Sequence, residues 1–444
     1  MIANLPSFLI GYSLVWTILA IPRLDGTMES TYNPLKMTMD FNQKIWLITV
    51  VPIAGAIGSL PSGYLIDKRG RKEVLVVSTL FLTLGLAGIY FSEYVTYLLI
   101  GRAICGVGIG GALTVIPAYL GEISETHNRG FLGMCQGIFI LFGMLITYAL
   151  GFAMTLNEMN MMFFILSFII LLTIDWWLPE SYQWLLIRER VKDAEICLRQ
   201  VRRSSDDDLI GNELMMAKKI IADSYSEDVK LMSIFKKKYI LKSLYVSCGL
   251  ILFQQVISVS LVLYYIQPVF VGIAAPNQVH LLALITICFI QFLTCGLISL
   301  VIDKIGRKIL MITSAIGSGL SLVALGIFFQ IRSSGNDLSW LEITSVISFA
   351  ITFTVGLGPI PFVIFGEIFP HQIKPAALAG TTCFWFVSII LVASIFLPLL
   401  SLIGEAAMFC LLGVICLIAG LFVYFCVPET KMRSLEDIQD ILRN

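Results

Sequence analysis

Charged residues are scarce in this chain of 444 residues. Asp, Glu, Lys and Arg together make up 14% of it, and residues 243–302 contain none of them. Hydrophobic residues make up 57%, and the mean hydropathy is +0.88. A soluble chain of this length could not bury so much apolar surface. The composition therefore excludes a soluble globular protein and predicts that lipid surrounds the folded chain.

Several chemical signatures are also missing. The three histidines are scattered, so no metal site is expected, and no Walker or dinucleotide fingerprint that would bind a cofactor is present. GVGIGG at 106–111 lies inside an apolar run and follows no strand, which favours close helix packing. Nine of the ten cysteines lie in or beside apolar runs, as packing residues do. These absences argue against an enzyme, and the net charge of zero gives no sign of a nucleic-acid partner.

Long apolar runs account for most of what is present. A run of roughly 20 residues spans the hydrocarbon core of a bilayer as a helix. We predict twelve such spans, with Pro268–Pro276 separating the seventh from the eighth; they cover residues 2–22, 45–66, 74–92, 97–121, 131–151, 159–178, 243–267, 279–302, 309–331, 343–366, 375–400 and 406–427.

Basic residues predict the orientation. If both termini are cytoplasmic, 25 of the 30 Lys and Arg residues lie in inner loops and tails, as the positive-inside rule requires. The outer loops hold four (Arg23, Lys36, Lys44 and Arg332), and Arg102 lies within a span. The first span lacks a basic leader and a small-residue cleavage site, so it is expected to remain as a helix.

One ten-residue string recurs in the two halves of the chain. GYLIDKRGRK at 63–72 returns as SLVIDKIGRK at 299–308, GEI at 121–123 as GEI at 366–368, and PES at 179–181 as PET at 428–430. Three matches in the same order indicate a parallel duplication. Two similar bundles around a central cavity are typical of transporters.

The repeat predicts an all-α membrane protein with four parts. Residues 1–178 and 243–427 would each form a six-helix bundle, and 428–444 a cytoplasmic tail. Residues 179–242 form the one large polar segment, with helical spacing after residue 182 and an acidic run, Asp206–Asp208, suited to a helix start. This segment is either a solvated linker or a helical cap over the cytoplasmic side.

These motifs resemble the sugar porter family of the major facilitator superfamily over nearly the whole chain. Besides the repeats, the resemblance rests on GRAICGVGIGGALTVIPAYLGEISETHNRG at 101–130, PESYQWLL at 179–186, QQVISVSLVLYY at 254–265, GLGPIPFVIFGEIF at 356–369 and PETKMRSLEDI at 428–438. Within the family, the chain looks most like the insect facilitated trehalose transporter-like branch. The resemblance implies the major facilitator fold in the plasma membrane, a sugar such as trehalose or a hexose as substrate, and a monomer.

Ten charged residues lie where predicted spans meet the cytoplasm, and we call them the charged rim. Acids accompany the bases in both halves, although orientation needs only bases. Arginines and carboxylates at matched positions are therefore expected to pair across the gap when that side is shut, and the resemblance implies an inner gate. Lys and Arg that merely fix orientation are the alternative. The rim comprises Asp67, Arg71, Glu122, Arg129, Glu180, Asp303, Arg307, Glu367, Lys374 and Glu429.

Amide side chains inside apolar spans are costly unless they have partners, which makes them candidates for binding sugar hydroxyls. Bonds between helices are the alternative function. Aromatic rings would stack on the sugar, and Tyr264 and Tyr265 would close its outer side. The predicted substrate site comprises Gln136, Gln254, Gln255, Ser260, Gln291, Thr354, Phe362, Trp385 and Ser388.

The chain departs from the family pattern at this site and at the rim. Thr354, Phe362 and Ser388 stand where the family has Glu, Trp and Asn, so the cavity is expected to be less polar. Gln183 replaces the Arg of PESPR, which predicts a weaker gate. A degenerate porter or a non-transporting sugar sensor is the alternative to transport, although the short tail argues against a sensor. No Asp or Glu lies at mid-depth in any predicted span, which predicts a passive uniporter.

Overall fold

The computed structural model describes residues 1–24, 39–125, 127–202, 206–225, 237–270, 278–333, 338–370, 372–433 and 435–443. Side chains are also not described for residues 261–270 and 278–281 or for a few other residues. The described residues fold into helices joined by short turns, and their helix bounds are as follows.

The first half contains α1 (Leu5–Leu24, after a short 3₁₀ turn at Ile2–Asn4), α2 (Phe41–Arg69), α3 (Arg71–Tyr90), α4 (Val95–Ile123), α5 (Arg129–Ala153) and α6 (Leu156–Trp177). Three helices follow: α7 (Tyr182–Ile187), α8 (Val191–Arg202) and α9 (Asp207–Tyr225). The second half contains α10 (Lys238–Phe270), α11 (Gln278–Ile305), α12 (Arg307–Ser333), α13 (Ser339–Val355), α14 (Ile360–Ile368), α15 (Lys374–Ile403), α16 (Glu405–Cys426) and α17 (Leu435–Arg443).

Several helix starts are fixed by local sequence. Asp40 caps α2 and Thr155 caps α6; in each case a Gln or Glu three residues later returns a bond to the cap, which completes a capping box. The Ser181 hydroxyl accepts from the Trp184 N–H at the start of α7. These caps satisfy N–H groups that the first helical turn leaves without partners.

Twelve segments of the described residues are long and apolar enough to cross a membrane, as the sequence predicts. Span ten consists of two helices, α13 and α14, because the Gly356–Pro359 stretch interrupts it. Pro359 has no N–H to donate, and glycine weakens a helix, which explains why the span is interrupted at this stretch.

The two halves meet along two equivalent helix pairs. Helix α2 packs against α15, and α5 packs against α11. In the repeat, α11 corresponds to α2 and α15 to α5, so the two contacts are related by the duplication. Close approach is required here: a Cβ on Gly63 of α2 would lie 2.6 Å from the Cβ of Ala379 in α15.

The recurring string forms the same hairpin in both halves. Gly70 ends α2 with φ 103°, and Gly306 ends α11 with φ 106°. Residues with a Cβ rarely adopt this backbone conformation, which explains why glycine stands at both turns. The turns bring Arg71 and Arg307 to the first position of the following helix.

Helices α7–α9 have a small core of their own. Tyr182, Leu186, Leu198 and Ile210 are buried together in it. Helix α9 begins at Asp207, inside the acidic run that suggested a helix start. Over its described residues this segment is therefore packed helical structure, which agrees with either a linker or a cap.

Candidate functional site

Gln254 lies at the centre of a hydrogen-bonded cluster beside the break in span ten. Its Oε1 accepts from the Trp385 indole N–H at 3.3 Å and from Gln255 Nε2 at 3.4 Å, and its Nε2 donates to the Gly358 carbonyl. That carbonyl is available because the helix is interrupted there. Gln254 and Gln255 are 6% and 3% exposed, so both face the protein interior.

Phe362 lies beside this cluster, and two further predicted substrate residues carry buried hydroxyls. Phe362 meets Trp385 edge to face, with ring centroids 6.1 Å apart. Thr354 and Ser388 are buried, and each donates its hydroxyl proton to a carbonyl of its own helix at 2.7 Å. Their hydroxyl oxygens can accept from a ligand, but their protons are occupied. Hence neither hydroxyl is a free donor for a ligand.

The remaining predicted substrate residues are placed as follows. Ser260 is 1% exposed on α10. Gln136 is buried on α5, and its Nε2 has no hydrogen-bond partner among the described residues. Gln291 is half-buried on α11. Tyr264 and Tyr265 fall among the residues whose side chains are not described.

Arg102 is a buried cation inside the first half that the sequence reading did not assign to a site. Its guanidinium donates to the Ser13 hydroxyl at 2.9 Å, to the Ser13 carbonyl at 3.0 Å and to the Thr17 hydroxyl at 2.8 Å. It also lies over the Trp16 ring, 5.0 Å from the centroid. Neutral acceptors and a ring therefore hold this charge in place of a carboxylate.

A second interior network connects α1 to α6. The Asn160 side-chain oxygen accepts from the Tyr12 hydroxyl and from the Trp16 indole, both at 2.7 Å. All three side chains are buried. The sequence reading missed this network, although an asparagine within an apolar span is as strong a signal as the glutamines that it used.

In the first half, Arg71, Glu122 and Glu180 of the charged rim form an ion pair and hydrogen bonds within that half. The Arg71 guanidinium pairs with Glu122 at 2.7 Å, and the Ser181 hydroxyl donates to the other Glu122 oxygen. Glu180 accepts the Arg71 and Lys72 backbone N–H groups, which caps α3. Burial raises the pKa of Glu180 above its ordinary value, although these N–H donors oppose the shift.

The second half repeats this arrangement. Arg307 pairs with Glu367 at 2.8 Å, and the Thr430 hydroxyl donates to the other Glu367 oxygen at 2.6 Å. Glu429 accepts the Arg307 and Lys308 N–H groups, both at 3.1 Å. Ser181 of PES and Thr430 of PET therefore have the same role, donating a hydroxyl proton to the carboxylate that pairs with the arginine. This role was not predicted from the sequence.

The expectation that arginine–carboxylate pairs cross between the halves is wrong for the described residues. Arg71–Glu122 and Arg307–Glu367 each lie within one half, because each pair joins helices of one bundle. The crossing contact is of another kind: Asp303 accepts the Gly130 and Phe131 N–H groups at 3.1 and 3.0 Å. A carboxylate at a helix N-terminus is favourable, so this contact holds the two halves together.

Among the described residues, no equivalent contact runs from Asp67 of the first half to the start of α15 in the second. In the repeat, Asp67 corresponds to Asp303, and Lys374-Pro375 corresponds to Arg129-Gly130. Pro375 has no N–H to donate. Asp67 is exposed, and no hydrogen bond of its carboxylate to another described residue is present, whereas the Asp303 side chain is 18% exposed. The contact between the halves is therefore one-sided.

Gln183 lies close to the charged rim, on α7, and its Oε1 is buried without a described partner. We expect Gln183→Arg to slow opening of the cytoplasmic side, because it adds a cation among rim carboxylates. Sugar exchange kinetics in proteoliposomes would measure this. Gln200→Arg, on the exposed face of α8, is the matched control, and unchanged exchange in Gln183→Arg would contradict the expectation.

Comparison with known proteins gives consistent matches over the whole chain. A family model described as "Sugar (and other) transporter" matches residues 1–442. The chain is 29% identical over 440 residues to the facilitated trehalose transporter Tret1 of Apis mellifera ligustica, covering 98% of this chain and 86% of that protein. It is 30% identical over 444 residues to a Tret1-2 homolog of Drosophila simulans, covering 98% and 88%.

Solved structures are similar in fold. The proton:xylose symporter XylE bound to 6-bromo-6-deoxy-D-glucose superposes with a TM-score of 0.84 at 23% identity, covering 99% of this chain and 98% of that one. The inward open conformation of XylE from E. coli gives 0.71 at 22% identity, with the same coverage.

Proposed function

Because the chain belongs to the sugar (and other) transporter family, we propose that it carries a neutral sugar by facilitated diffusion, without a coupled ion. Membership of this family makes the chain a multi-pass membrane transporter of the major facilitator superfamily, which is not an enzyme.

The substrate site that we propose is centred on Gln254 and Trp385. The Gln254 amide offers both donor and acceptor groups, as sugar hydroxyls require, and the neighbouring rings offer an apolar face. Gln255, Ser260, Thr354, Phe362 and Ser388 would complete it from α10, α13, α14 and α15, with Gln136 and Gln291 facing them from α5 and α11. The names of the insect relatives make trehalose the first sugar to test.

The environment of Arg102 is the observation that supports uniport most directly. A proton-coupled carrier needs a group inside the membrane that gains and loses a proton during the cycle. The hydroxyls of Ser13 and Thr17 that hold Arg102 do not titrate in the physiological range. No Asp or Glu stands at mid-depth in any predicted span. A carrier without such a group equilibrates its substrate and cannot concentrate it with a proton gradient.

Alternating access would follow from the one-sided contact at the charged rim. In this structure Asp303 joins the start of α5, and α2 lies against α15. Release of sugar to the cytoplasm requires both contacts to separate, while the ion pairs within each half remain. Sugar binding need supply only the few kcal/mol that separate two such states.

We further propose a monomer in the plasma membrane with both termini in the cytoplasm, and the distribution of Lys and Arg supports this orientation. We also propose that the chain divides into four parts, residues 1–178, 179–242, 243–427 and 428–444.

Uptake of radiolabelled trehalose and of glucose into proteoliposomes tests the proposal. We expect uptake of one of these sugars that equilibrates across the membrane and does not change when the outside is acidified. Accumulation above equilibrium under an inward proton gradient would overturn uniport. Binding of a sugar without any flux would indicate a sensor instead of a carrier.

A further inference from the structure

The ring of Phe386 reaches from the second half of the chain into the first. Phe386 lies near the middle of α15 and is 1% exposed. It is buried in an apolar cluster whose other buried members, apart from Cys288, all belong to the first half. A Cβ added to Gly55, near the middle of α2, would lie 2.5, 2.7 and 2.8 Å from the Cζ, Cε1 and Cε2 atoms of this ring. The ring therefore fills the space that a side chain at position 55 would occupy, and we call this space the Gly55 notch.

Helix α4 supports the notch from behind. A Cβ on Gly110 would overlap the Gly55 carbonyl oxygen, and a Cβ on Gly106 would lie 2.7 Å from the Cβ of Ala54. Both glycines belong to the GVGIGG stretch at 106–111, which the sequence analysis singled out for close helix packing. Because packing this close leaves α2 no room to move toward α4, the first half holds the notch rigidly.

The residue before Phe386 belongs to the proposed substrate site. The Trp385 indole donates to Gln254 Oε1, and the Trp385 and Phe386 rings meet edge to face with centroids 4.9 Å apart. One stretch of α15 thus carries a ring in the proposed sugar site and the next ring in the Gly55 notch. Any movement of this stretch relative to the first half displaces both rings together.

We propose that Phe386 is a positioning residue for transport, an inference that rests on the proposed transport function. The fit of its ring in the Gly55 notch sets how closely α2 and α15 approach, and hence the balance between the shut and the open cytoplasmic side. Phe386 need not touch the sugar. A sugar held by Trp385 and Gln254 would act on the contact between the halves through the adjacent Phe386 ring.

Gly55→Ala tests this inference in purified protein without any sugar. The three atoms nearest to the added methyl group all belong to the Phe386 ring, so the strain falls on the contact between the halves. Overpacking of this kind is expected to make amide hydrogen exchange at the starts of α5 and α15 about tenfold faster. Helix α5 carries neither residue, so faster exchange there requires the halves to separate. Gly380→Ala is the matched control, because Gly380 lies on α15, is exposed and has nothing within 4 Å of an added Cβ.

Phe386→Leu supplies a rescue that a merely structural role would not produce. It removes the Cζ and Cε atoms that the added methyl group would meet, so the double variant Gly55→Ala/Phe386→Leu should exchange more slowly than Gly55→Ala. Phe386→Leu alone should exchange faster than the unsubstituted protein, because it leaves the notch partly empty. Phe396→Leu makes the same truncation on the same helix, but Phe396 is buried in a cluster that lies wholly within the second half. It should leave exchange at both helix starts unchanged.

Equal exchange in Gly55→Ala and Gly380→Ala would overturn the proposal, and so would a double variant that exchanges as fast as Gly55→Ala. If Gly55→Ala does not fold, the two leucine variants decide, and equal exchange in Phe386→Leu and Phe396→Leu excludes the role. Because no sugar is present, these outcomes are separate from the uptake experiment. A protein that carries no sugar would refute the proposed transport function and leave the measured contact between the halves in place.

Discussion

Replacing Gln254 with alanine is expected to lower the initial rate of sugar uptake on the order of tenfold or more. The substitution removes the amide proposed to meet the sugar, and it leaves the Trp385 indole N–H and the Gly358 carbonyl without their partner. Unpaired buried groups cost about 1–3 kcal/mol each, and a 1.4 kcal/mol difference corresponds to a factor of ten. Radiolabelled uptake at several sugar concentrations measures the effect on rate and on apparent affinity.

Leu252→Ala is the matched control for this experiment. Leu252 lies on the same helix and is 43% exposed, so it faces away from the cluster. Its truncation should leave uptake nearly unchanged at equal amounts of protein in the membrane. If Gln254→Ala transports as well as Leu252→Ala does, Gln254 merely joins helices and the proposed substrate site is wrong.

Much of the fold could be predicted from the sequence, because each span is long and uniformly apolar. The break between α13 and α14 has a local cause that is visible in the sequence, the missing N–H of proline in the Gly-Pro stretch of span ten. The burial of Gln254 and Gln255 could be predicted because an amide is costly in lipid. Their partners could not, since the free Gly358 carbonyl depends on how the interrupted helix turns.

The charged rim shows where the sequence reading went wrong. The repeat identified the charged residues of both halves, but a pattern of charges does not reveal which carboxylate each arginine reaches. Arg71 could pair within its own half because Glu122 lies on the adjacent helix α4. The one-sided contact was, in contrast, available from the sequence: the repeat aligns Pro375 with Gly130, and proline cannot donate.

Asp303→Asn is expected to shift the transporter toward opening on the cytoplasmic side by about a factor of ten or more. Hydrogen bonds to a charged group contribute about 1.5–3 kcal/mol, and Asp303 accepts two of them from the opposite half. An asparagine cannot accept both as strongly, because it is neutral and one of its two polar atoms is a donor. Hydrogen exchange followed by mass spectrometry would measure the shift, read from the peptides at the starts of α5 and α15.

Asp67→Asn provides the control that the duplication itself supplies. It makes the same chemical change at the corresponding turn, but the Asp67 side chain is exposed, and the helix equivalent to α5 begins with Lys374-Pro375. We expect little change in exchange at either helix start. Faster exchange near α15 in Asp303→Asn is the decisive result. Because α15 makes no bond to Asp303, its amides lose protection only if the halves separate. Equal effects of the two substitutions would show that the contact is symmetric, and that the proline does not weaken one side of it.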